Sequence, residues 1–323
     1  FSKSRLILHA INYSINFNIY DFCKKNWTYL WNYRIESVFW IYVFHLYLIV
    51  INKNILIKRI MNLELHKSKN LLKILNTAID AGKEIQKVYK KSFNVEIKDD
   101  NSPITEADIK SNNLILNRLK SYSPNVPILS EESLVEWQER KTWNSYWLID
   151  PLDGTKEFIK KNGEFTVNIA LIKNNSPIFG IIYAPAKSLL YYGLKNYGAY
   201  KLITESNIET TKDFIKMNSV KDKSNLTKVI GSRSHSNKDF DNWINNNCNN
   251  FELIQIGSSL KFCYLAESKA NIYPRLGPTS EWDIAAGHII LEEAGGSIKD
   301  FNENKLLYNT KESVINPNFI AKI

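Results

Sequence analysis

The hexapeptide at positions 150–155, Asp-Pro-Leu-Asp-Gly-Thr, carries residue types that could bind a metal ion and a phosphate. Pro151 fixes φ at the second position of a turn, so the carboxylates of Asp150 and Asp153 can point to the same side and offer oxygen ligands to a hard cation. Gly154 lets the backbone approach an anion, and a short helix beginning at Thr155 would add amide donors. The alternative is an ordinary turn in which Asp150 caps local amides. Taken alone, the hexapeptide favours neither interpretation.

Three further acids lie at the predicted ends of elements. Glu131 follows a predicted strand, Asp108 lies three residues after Thr105, and Asp283 directly precedes a predicted apolar helix. Each has a simpler interpretation, which is a solvated loop for Glu131, a capping box for Asp108 and a helix N-cap for Asp283. In combination, however, acids at four separate chain positions are what a site needs to hold Mg²⁺ through oxygen atoms and leave room for water and phosphate. We therefore predict that these carboxylates converge.

The elements that must position these acids begin with two helices. Apolar residues from Leu71 to Tyr89 recur at spacings of three and four, which is typical of an amphipathic helix packed on a sheet. Turn signals at 99–103 precede a second helix, predicted from Thr105 to about Lys120. Short strands are predicted at 126–129 and 147–149, and an antiparallel meander at 165–172, 178–183 and 189–192.

The second half of the chain alternates between strands and helices. Strands are predicted at 229–231, 253–256 and 272–273, and helices at 238–245, 259–268 and 284–294, which indicates a layered α/β unit. Gly295 and Gly296 mark the end of the last helix. We predict a metal-binding α+β subdomain over 61–205 and a substrate-side α/β subdomain over 206–323.

Composition bounds the class of protein. A chain of 323 residues with 44% hydrophobic content should bury a sizeable core. The net charge of +9 is concentrated in residues 1–60, which carry +6, so a nucleic-acid-binding surface is not predicted on the main body. Three cysteines (Cys23, Cys248 and Cys263) share no metal-type spacing and favour a reducing compartment. Five scattered histidines argue against a zinc site.

Residues 1–60 form a separate problem. An apolar run at 38–51, interrupted by His45, is shorter than the ~20 residues that a membrane helix needs. Lys58 and Arg59 follow it instead of a small-residue cleavage site. We expect that residues 1–60 are upstream sequence translated in frame and that the functional protein begins at Met61. The alternative is a signal-anchor helix at a membrane, and mass spectrometry of the native N-terminus would separate the two, because a start before Met61 contradicts the first.

Residues 147–172, which begin Trp-Leu-Ile-Asp-Pro-Leu-Asp-Gly-Thr, resemble the signature of the inositol monophosphatase superfamily, in the form found in bacterial 3'(2'),5'-bisphosphate nucleotidases of the CysQ type. Further segments share this resemblance at 101–108, 127–133, 232–235, 257–263, 273–279 and 282–287. The resemblance extends from about Asn70 to the C-terminus and leaves residues 1–60 unmatched. It implies an α/β (α+β) fold, a layered α-β-α-β-α sandwich with two subdomains.

The resemblance also implies the metal ligands. Two or three Mg²⁺ ions would be coordinated by Glu131, Asp150, the carbonyl of Leu152, Asp153 and Asp283. Asp108 and Thr155, with Glu131, would form the catalytic set that positions and helps to deprotonate the attacking water. Metal ions in such a site offset the charge of the phosphate ester and lower the pKa of the water, so no Cys, His or Ser nucleophile is required.

The resemblance places the substrate contacts on both sides of the site. Backbone amides of Gly154 and Thr155 would hold the phosphate, with Asp283 close by. The matching positions of the second subdomain are Arg233, His235, Gly257, Ser258, Ser259, Lys261 and Arg275. Because a nucleotide with two phosphates needs more cationic partners than inositol phosphate does, Arg233, Lys261 and Arg275 are the expected specificity determinants. For Lys261 and Arg275 the alternative is a plain solvated charge.

The implied reaction is Mg²⁺-dependent hydrolysis of 3'-phosphoadenosine 5'-phosphate to AMP, in support of sulfur assimilation, with 3'-phosphoadenosine 5'-phosphosulfate as a second substrate and with inhibition by lithium. The expected partner is a small-molecule nucleotide and not a nucleic acid. We expect a cytoplasmic monomer or homodimer, and leave open a peripheral association with the cytoplasmic face of the inner membrane. The alternatives are an inositol or sugar phosphatase of the same superfamily and a catalytically silent, membrane-tethered regulatory protein.

Overall fold

The computed structural model describes residues 69–98, 103–220, 225–233 and 238–323. The predictions for residues 1–60, the start at Met61, the turn signals at 99–102 and the substrate-side His235 lie outside these ranges. The described residues all belong to one compact unit, which extends from Asn62 to Ile323. Within the described ranges, no helix combines the length and the apolar character needed to cross a bilayer.

The elements are numbered here in chain order. The helices of the described ranges are α1 (Lys69–Tyr89), α2 (Glu106–Tyr122), α3 (Trp137–Arg140), α4 (Thr155–Ile159), α5 (Lys238–Asn247), α6 (Leu260–Ala266) and α7 (Glu281–Ala294). The strands are β1 (Val95–Ile97), β2 (Pro103–Thr105), β3 (Ile128–Ser130), β4 (Ser145–Asp153), β5 (Thr166–Lys173), β6 (Ser176–Ala184), β7 (Leu189–Leu194), β8 (Gly198–Ile203), β9 (Ile215–Met217), β10 (Thr227–Ser232), β11 (Phe251–Ile256), β12 (Ile272–Arg275), β13 (Ser297–Asp300) and β14 (Phe319–Lys322).

The larger sheet has seven strands in the order β3-β4-β5-β6-β7-β8-β9. β3 and β4 are parallel, and the predicted antiparallel meander over β5, β6 and β7 is confirmed and continues into β8 and β9. Helices α1 and α2 cover one face of this sheet, because apolar side chains such as Leu75, Ile79 and Ile115 pack against Ile169 and Ile181 of the strands. The amphipathic pattern at 71–89 therefore predicted the α1 face correctly.

Helix α7 lies on the opposite face of the larger sheet and is buried along most of its length. Gly180 of β6 and Gly193 of β7 are in register with each other and lie directly beneath it. A Cβ on Gly180 would be 2.7 Å from the backbone oxygen of Ala286, and a Cβ on Gly193 would be 2.8 Å from the Cα of Ile290. These two glycines therefore allow the helix backbone to approach the strands more closely than a side chain would permit.

The smaller sheet has five strands in the order β11-β10-β12-β14-β13. Its inner face shares a core with α6 and α7, through residues such as Ile230, Phe262 and Tyr273. On the outer face the Phe240 ring of α5 lies over Gly231 of β10. The layers are thus α1 and α2, the larger sheet, α6 and α7, the smaller sheet and α5, which confirms the predicted layered sandwich. The division into subdomains near residue 205 stays a prediction.

Candidate active site

Asp150 and Asp153 reach the same pocket because β4 is irregular between them. Asp150 pairs with Asn168 of β5 and Asp153 pairs with Thr166, so three steps along β4 match two along β5. In a regular strand, side chains three positions apart would face opposite sides, and one extra residue brings them to the same side. The segment is therefore a bulged strand where the sequence indicated a turn. Asp150 also accepts a hydrogen bond from the amide of Leu152, at 3.1 Å, so the predicted local capping occurs as well.

Gly154 connects this strand to α4, which begins at Thr155 as expected. Its φ of +88° lies in the left-handed region that favours glycine. A Cβ there would lie 3.0 Å from the backbone oxygen of Glu164 and 3.2 Å from the Cβ of Ser258. Glycine is thus required both by the backbone conformation and by the close approach of two other segments.

Asp108 caps α2 and also contacts Thr155. Its Oδ2 accepts hydrogen bonds from the amide and the hydroxyl of Thr105, at 2.8 and 2.7 Å, which confirms the predicted capping box. The other oxygen, Oδ1, lies 3.3 Å from the Thr155 hydroxyl, which is equally close to the carbonyl of Leu152. The capping interpretation and the catalytic one are therefore compatible, because they use different oxygens of one carboxylate.

Asp283 is the third residue of α7 and not its N-cap. The helix begins at Glu281, Ser280 is the N-cap, and the carboxylate of Asp283 accepts a hydrogen bond of 2.8 Å from the Ser280 amide. The alternative interpretation of Asp283 as the N-cap is therefore wrong, because the helix starts three residues before the predicted start at 284. The capping box nevertheless orients the Asp283 side chain at the start of the helix.

Glu131 follows β3 as predicted, and its carboxylate is bound by a lysine that sequence reasoning missed. Lys98 Nζ lies 2.9 Å from Glu131 and 2.6 Å from Glu132. Burial lowers the pKa of Lys98, but the charge of Glu131 and the hydrogen bonds to both glutamates outweigh burial and raise it. A cation that binds Glu131 therefore has to compete with this ammonium group. The residues around Lys98 carry no motif that could have indicated the contact.

Four of the five predicted acids line one cavity of about 260 Å³. Its acidic wall consists of Glu131, Asp150, Leu152, Asp153, Gly154, Thr155 and Asp283. The lining also includes Gly257, Ser258, Ser259, Lys261 and Arg275. Asp108 is not part of the lining and reaches it only through Thr155. The predicted convergence therefore holds for four of the five acids, and Asp108 is the exception.

The carboxylates repel one another across the cavity. Burial raises the pKa of Asp150, and the negative charges of Glu131, Asp153 and Asp283 raise it further. Burial followed by the charges of Asp153 and Glu131 raises the pKa of Asp283 in the same way. A divalent cation would relieve this repulsion, and a donor set made only of oxygen atoms suits Mg²⁺.

The side chains would have to shift to surround such an ion. In the described part of the chain, no three His, Cys, Asp or Glu side chains are grouped closely enough to hold a metal ion as they stand. Two of the acids are hydrogen-bonded to protein donors, Glu131 to Lys98 and Asp153 Oδ2 to the Ser259 amide. The donor chemistry thus fits a metal site, because the acids that line the cavity offer oxygen ligands.

Two of the three predicted substrate-side cations line the cavity. Lys261 of α6 is 9% exposed, donates a hydrogen bond of 2.8 Å to the backbone oxygen of Ser258 and lies over the Tyr273 ring. Arg275 donates through Nη2 to the backbone oxygen of Pro278 at 2.7 Å. Its Nε is buried and has no hydrogen-bond partner within the described ranges, which is uncommon for a buried donor.

Arg233 is placed differently. It forms a two-bond ion pair with Glu164, at 2.8 and 3.0 Å, and its side chain is not part of the cavity lining. Glu164 also accepts a hydrogen bond of 2.8 Å from the amide of Gly257. Arg233 thus supports the Gly257 segment through Glu164, and its direct contact with substrate stays a prediction.

Polar residues of β5 were also missed. Thr166 and Asn168 contact each other at 2.9 Å, Thr166 lies 2.6 Å from the Ser258 hydroxyl, and Asn168 donates to the Ser259 hydroxyl at 2.8 Å. A signal was present in the sequence, because these two polar residues alternate with Val167 and Ile169 in an otherwise apolar strand. Such alternation indicates a face that is turned towards polar groups.

Glu281, next to the site, has a raised pKa, so the stability of the protein should depend on pH. Burial raises its pKa from 4.5 to about 7, although its carboxylate accepts the amide hydrogen bond of Asn309 at 2.9 Å. Between these two pH values the unfolded chain releases the proton that the folded chain keeps, so stability from this group is present below pH 4.5 and is lost as the pH rises through about 7. We expect that the free energy of unfolding of wild type, relative to Glu281→Gln, falls over this range.

Urea unfolding of both proteins at several pH values, without divalent cations, measures this difference. Comparison with Glu281→Gln cancels the contributions of the other raised carboxylates. A difference between the two proteins that stays constant from pH 4.5 to 7 would contradict the assignment.

The sequence and the fold of the chain are similar to those of one family of known proteins. Residues 68–322 match the pattern of the Inositol monophosphatase family. The chain is 43% identical over 255 residues to the 3'(2'),5'-bisphosphate nucleotidase CysQ of Salmonella typhimurium, which covers 78% of this chain and 99% of that protein. It is 44% identical to the CysQ protein of Buchnera aphidicola, with 78% of this chain and 93% of that protein covered. The crystal structure of CysQ from Bacteroides thetaiotaomicron superposes with a TM-score of 0.71 and 38% identity, over 80% of this chain and 98% of that one.

Proposed function

The chain belongs to the inositol monophosphatase family, and from this premise we propose that it is a Mg²⁺-dependent phosphatase that hydrolyses 3'-phosphoadenosine 5'-phosphate to AMP and phosphate. The observation that carries the proposal is the cavity, which is lined by four acids from the end of β3, from β4 and from α7 and also by the cations Lys261 and Arg275. Relatives named as 3'(2'),5'-bisphosphate nucleotidases support it, since the match covers almost their full length. We propose 3'-phosphoadenosine 5'-phosphosulfate as a second substrate.

The proposed ligands of two or three Mg²⁺ ions are Glu131, Asp150, the carbonyl of Leu152, Asp153 and Asp283. When bound, Mg²⁺ offsets the charge of the phosphate and lowers the pKa of the attacking water. Burial and mutual repulsion raise the pKa of Asp150 and Asp283. This supports the assignment, because a bound cation would stabilise their charged forms. Lithium inhibition is expected from the same family resemblance.

Thr155 and Asp108 are the proposed proton path. The Thr155 hydroxyl lines the cavity and can donate to Asp108 Oδ1, 3.3 Å away. A hydroxyl that donates in this direction can accept a hydrogen bond from a water in the cavity, so that it takes the proton of the water while its own proton passes to Asp108. Asp108 is suited to the task because its other oxygen is fixed by Thr105. Glu131 acts with this pair at the same cavity.

Lys261 and Arg275 are the proposed determinants of specificity for a bisphosphate. Each phosphate monoester carries about −1.5 to −2 charges at neutral pH, so the 5'-phosphate adds a second strongly charged group that inositol monophosphate lacks. Arg275 lines the cavity, and its guanidinium group is proposed to form a charge-assisted hydrogen bond with this phosphate. The amides of Gly154 and Thr155, together with Gly257 and Ser258, are proposed to contact the rest of the substrate.

Arg275→Met tests this assignment. A hydrogen bond to a charged group contributes about 1.5–3 kcal/mol, so we expect kcat/KM for 3'-phosphoadenosine 5'-phosphate to fall by about 10- to 100-fold. The value for adenosine 3'-phosphate, which lacks the 5'-phosphate, should change much less. Lys187→Met, at an exposed position outside the cavity, serves as the control. Equal losses for both substrates would contradict a role in recognising the second phosphate.

A phosphate-release panel tests the function as a whole. The full chain is assayed with 3'-phosphoadenosine 5'-phosphate, inositol 1-phosphate and sugar phosphates, each with and without Mg²⁺. We expect the bisphosphate nucleotide to be turned over fastest and only with Mg²⁺. Faster turnover of inositol 1-phosphate would replace the proposal with an inositol phosphatase, and no turnover of any substrate would favour a silent regulatory protein.

We propose a reducing, cytoplasmic compartment. The two described cysteines, Cys248 and Cys263, are free thiols, which fits such a compartment. The choice between monomer and homodimer and the association with a membrane stay predictions, because the latter depends on residues 1–60.

A further inference from the structure

A cluster of hydrogen-bond donors surrounds one oxygen of Asp153 in the wall of the cavity. Asp153 Oδ2 accepts hydrogen bonds from the Ser259 amide at 2.6 Å and from the Ser258 hydroxyl at 2.8 Å, and Asn168 Nδ2 lies at 3.4 Å. The Ser259 hydroxyl lies 2.7 Å from the same oxygen. Within the described residues no protein donor reaches the other oxygen, Oδ1. The carboxylate is thus held by one oxygen only, which leaves the other for a ligand.

Ser259 differs from the other donors because it contacts two acids of the site. Its hydroxyl also lies 2.6 Å from the backbone oxygen of Asp283, at the start of α7. One hydroxyl proton serves one of these acceptors at a time, while the Ser259 amide holds Asp153 throughout. Ser259 therefore connects the end of β4 with the start of α7. The acids of these two elements, Asp153 and Asp283, are 130 positions apart in the sequence.

The segment that carries Ser259 is itself fixed. Gly257 donates its amide to Glu164, and a Cβ on Gly257 would lie 2.7 Å from the Cγ of Glu157. Ser258 adopts a positive φ of 56°, and Ser259 is only 2% exposed. A buried side chain with its polar atom used by protein groups has little capacity left for a substrate contact.

We propose that Ser259 is a positioning residue for the Mg²⁺ site and not a substrate contact. By holding Asp153 Oδ2 and the backbone of Asp283 together, it fixes the separation of two ligands that come from different layers of the fold. Groups that orient metal ligands in this way typically contribute 10- to 100-fold to metal affinity. The inference rests on the proposed function, because it takes Asp153 and Asp283 as Mg²⁺ ligands.

Mg²⁺ binding to the full chain, followed by isothermal calorimetry, tests the proposal without an activity assay. Ser259→Ala is expected to raise the dissociation constant for Mg²⁺ by about 10-fold or more. Ser259→Thr, which keeps the hydroxyl, should recover most of this loss. The matched control is Ser219→Ala, because the Ser219 hydroxyl donates to the backbone oxygen of Ala294 at the opposite end of α7. Its Mg²⁺ affinity should equal that of wild type.

Steady-state kinetics separate positioning from substrate contact. Ser259→Ala should need more Mg²⁺ for half-maximal rate, while its KM for the nucleotide at saturating Mg²⁺ stays close to that of wild type. An unchanged Mg²⁺ affinity with a raised nucleotide KM would overturn the proposal. Absence of Mg²⁺ binding in the wild type would instead contradict the proposed function, so the two failures are distinguishable.

A second variant covers the case in which Ser259→Ala does not fold, as judged by circular dichroism. Ser258→Ala removes a different hydroxyl from the same Asp153 oxygen without touching α7. It should also weaken Mg²⁺ binding, by less than Ser259→Ala, because the Ser258 hydroxyl is shared with Thr166. An unchanged Mg²⁺ affinity in Ser258→Ala would contradict the proposal that these donors position Asp153.

Discussion

Asp153→Asn is expected to abolish Mg²⁺-dependent phosphate release while the domain stays folded. The substitution keeps the shape of the side chain and an oxygen that can accept the Ser259 amide, but it removes the negative charge that a metal ion requires. Metal ions contribute several kcal/mol of transition-state stabilisation, and each ~1.4 kcal/mol corresponds to a factor of ten in rate. A loss of about 10³-fold or more in kcat/KM is therefore expected.

The same substitution should not destabilise the metal-free protein. The charge of Asp153 raises the pKa of both Asp150 and Asp283, so removing it relieves repulsion in the cavity. Thermal unfolding without Mg²⁺ should give a Tm equal to or above that of wild type, and added Mg²⁺ should stabilise the variant less than wild type. Asp241→Asn, at an exposed position of α5, is the matched control. Full activity in Asp153→Asn would refute the metal assignment.

Gly180→Ala is expected to cause the largest loss of stability. A Cβ at this position would lie 2.7 Å from the backbone oxygen and 2.8 Å from the Cα of Ala286, so α7 has to move away from β6. Overpacking typically costs about 1–3 kcal/mol, and we expect about 3 kcal/mol here because the backbone of α7 is the obstacle. A domain of this size would lose about 6–12 °C in Tm, which differential scanning calorimetry can measure.

Gly231→Ala provides the comparison for that measurement. A Cβ at Gly231 meets only side-chain atoms, with Leu253 Cδ1 at 3.0 Å and the Phe240 ring at 3.2 Å. These groups can turn aside, and alanine is intrinsically better than glycine inside a strand, so the net change should lie within about 1 kcal/mol. Similar losses in both variants would show that the approach of α7 to β6 is not what makes Gly180 necessary.

The packing of α7 also explains why stability and chemistry are connected here. The helix carries Asp283 near its start, and its depth in the core depends on Gly180 and Gly193 of the larger sheet. Ser259 contacts the same end of the helix from the neighbouring segment. A shift of α7 would therefore move Asp283 relative to Asp150 and Asp153, which belong to the sheet. The interior of the sandwich and the cavity at its edge are positioned by the same helix.

Local features of the site were readable from the sequence. The capping box of Thr105 and Asp108, the short helix after Gly154 and the acid after β3 all involve residues a few positions apart, where backbone geometry alone decides the contact. Predictions failed where the length of an element depended on its neighbours. β4 continues through Asp153 because β5 pairs with it. The start of α7 was missed for a different reason, because the local capping box of Ser280 and Asp283 was not recognised in the sequence.

The sequence alone therefore determined which side chains could bind a hard cation and a phosphate, and which short segments present them. Only the tertiary structure decided that Lys98 would hold Glu131, that Arg233 would pair with Glu164 and that Ser259 would connect Asp153 with Asp283. The two residues of each pair are far apart in the sequence. The separation is 33 positions for Lys98 and Glu131, 69 for Arg233 and Glu164, and 106 for Ser259 and Asp153. Contacts at such separations depend on strand order and on the depth at which a helix packs, and neither property is encoded in the spacing of residues within one segment.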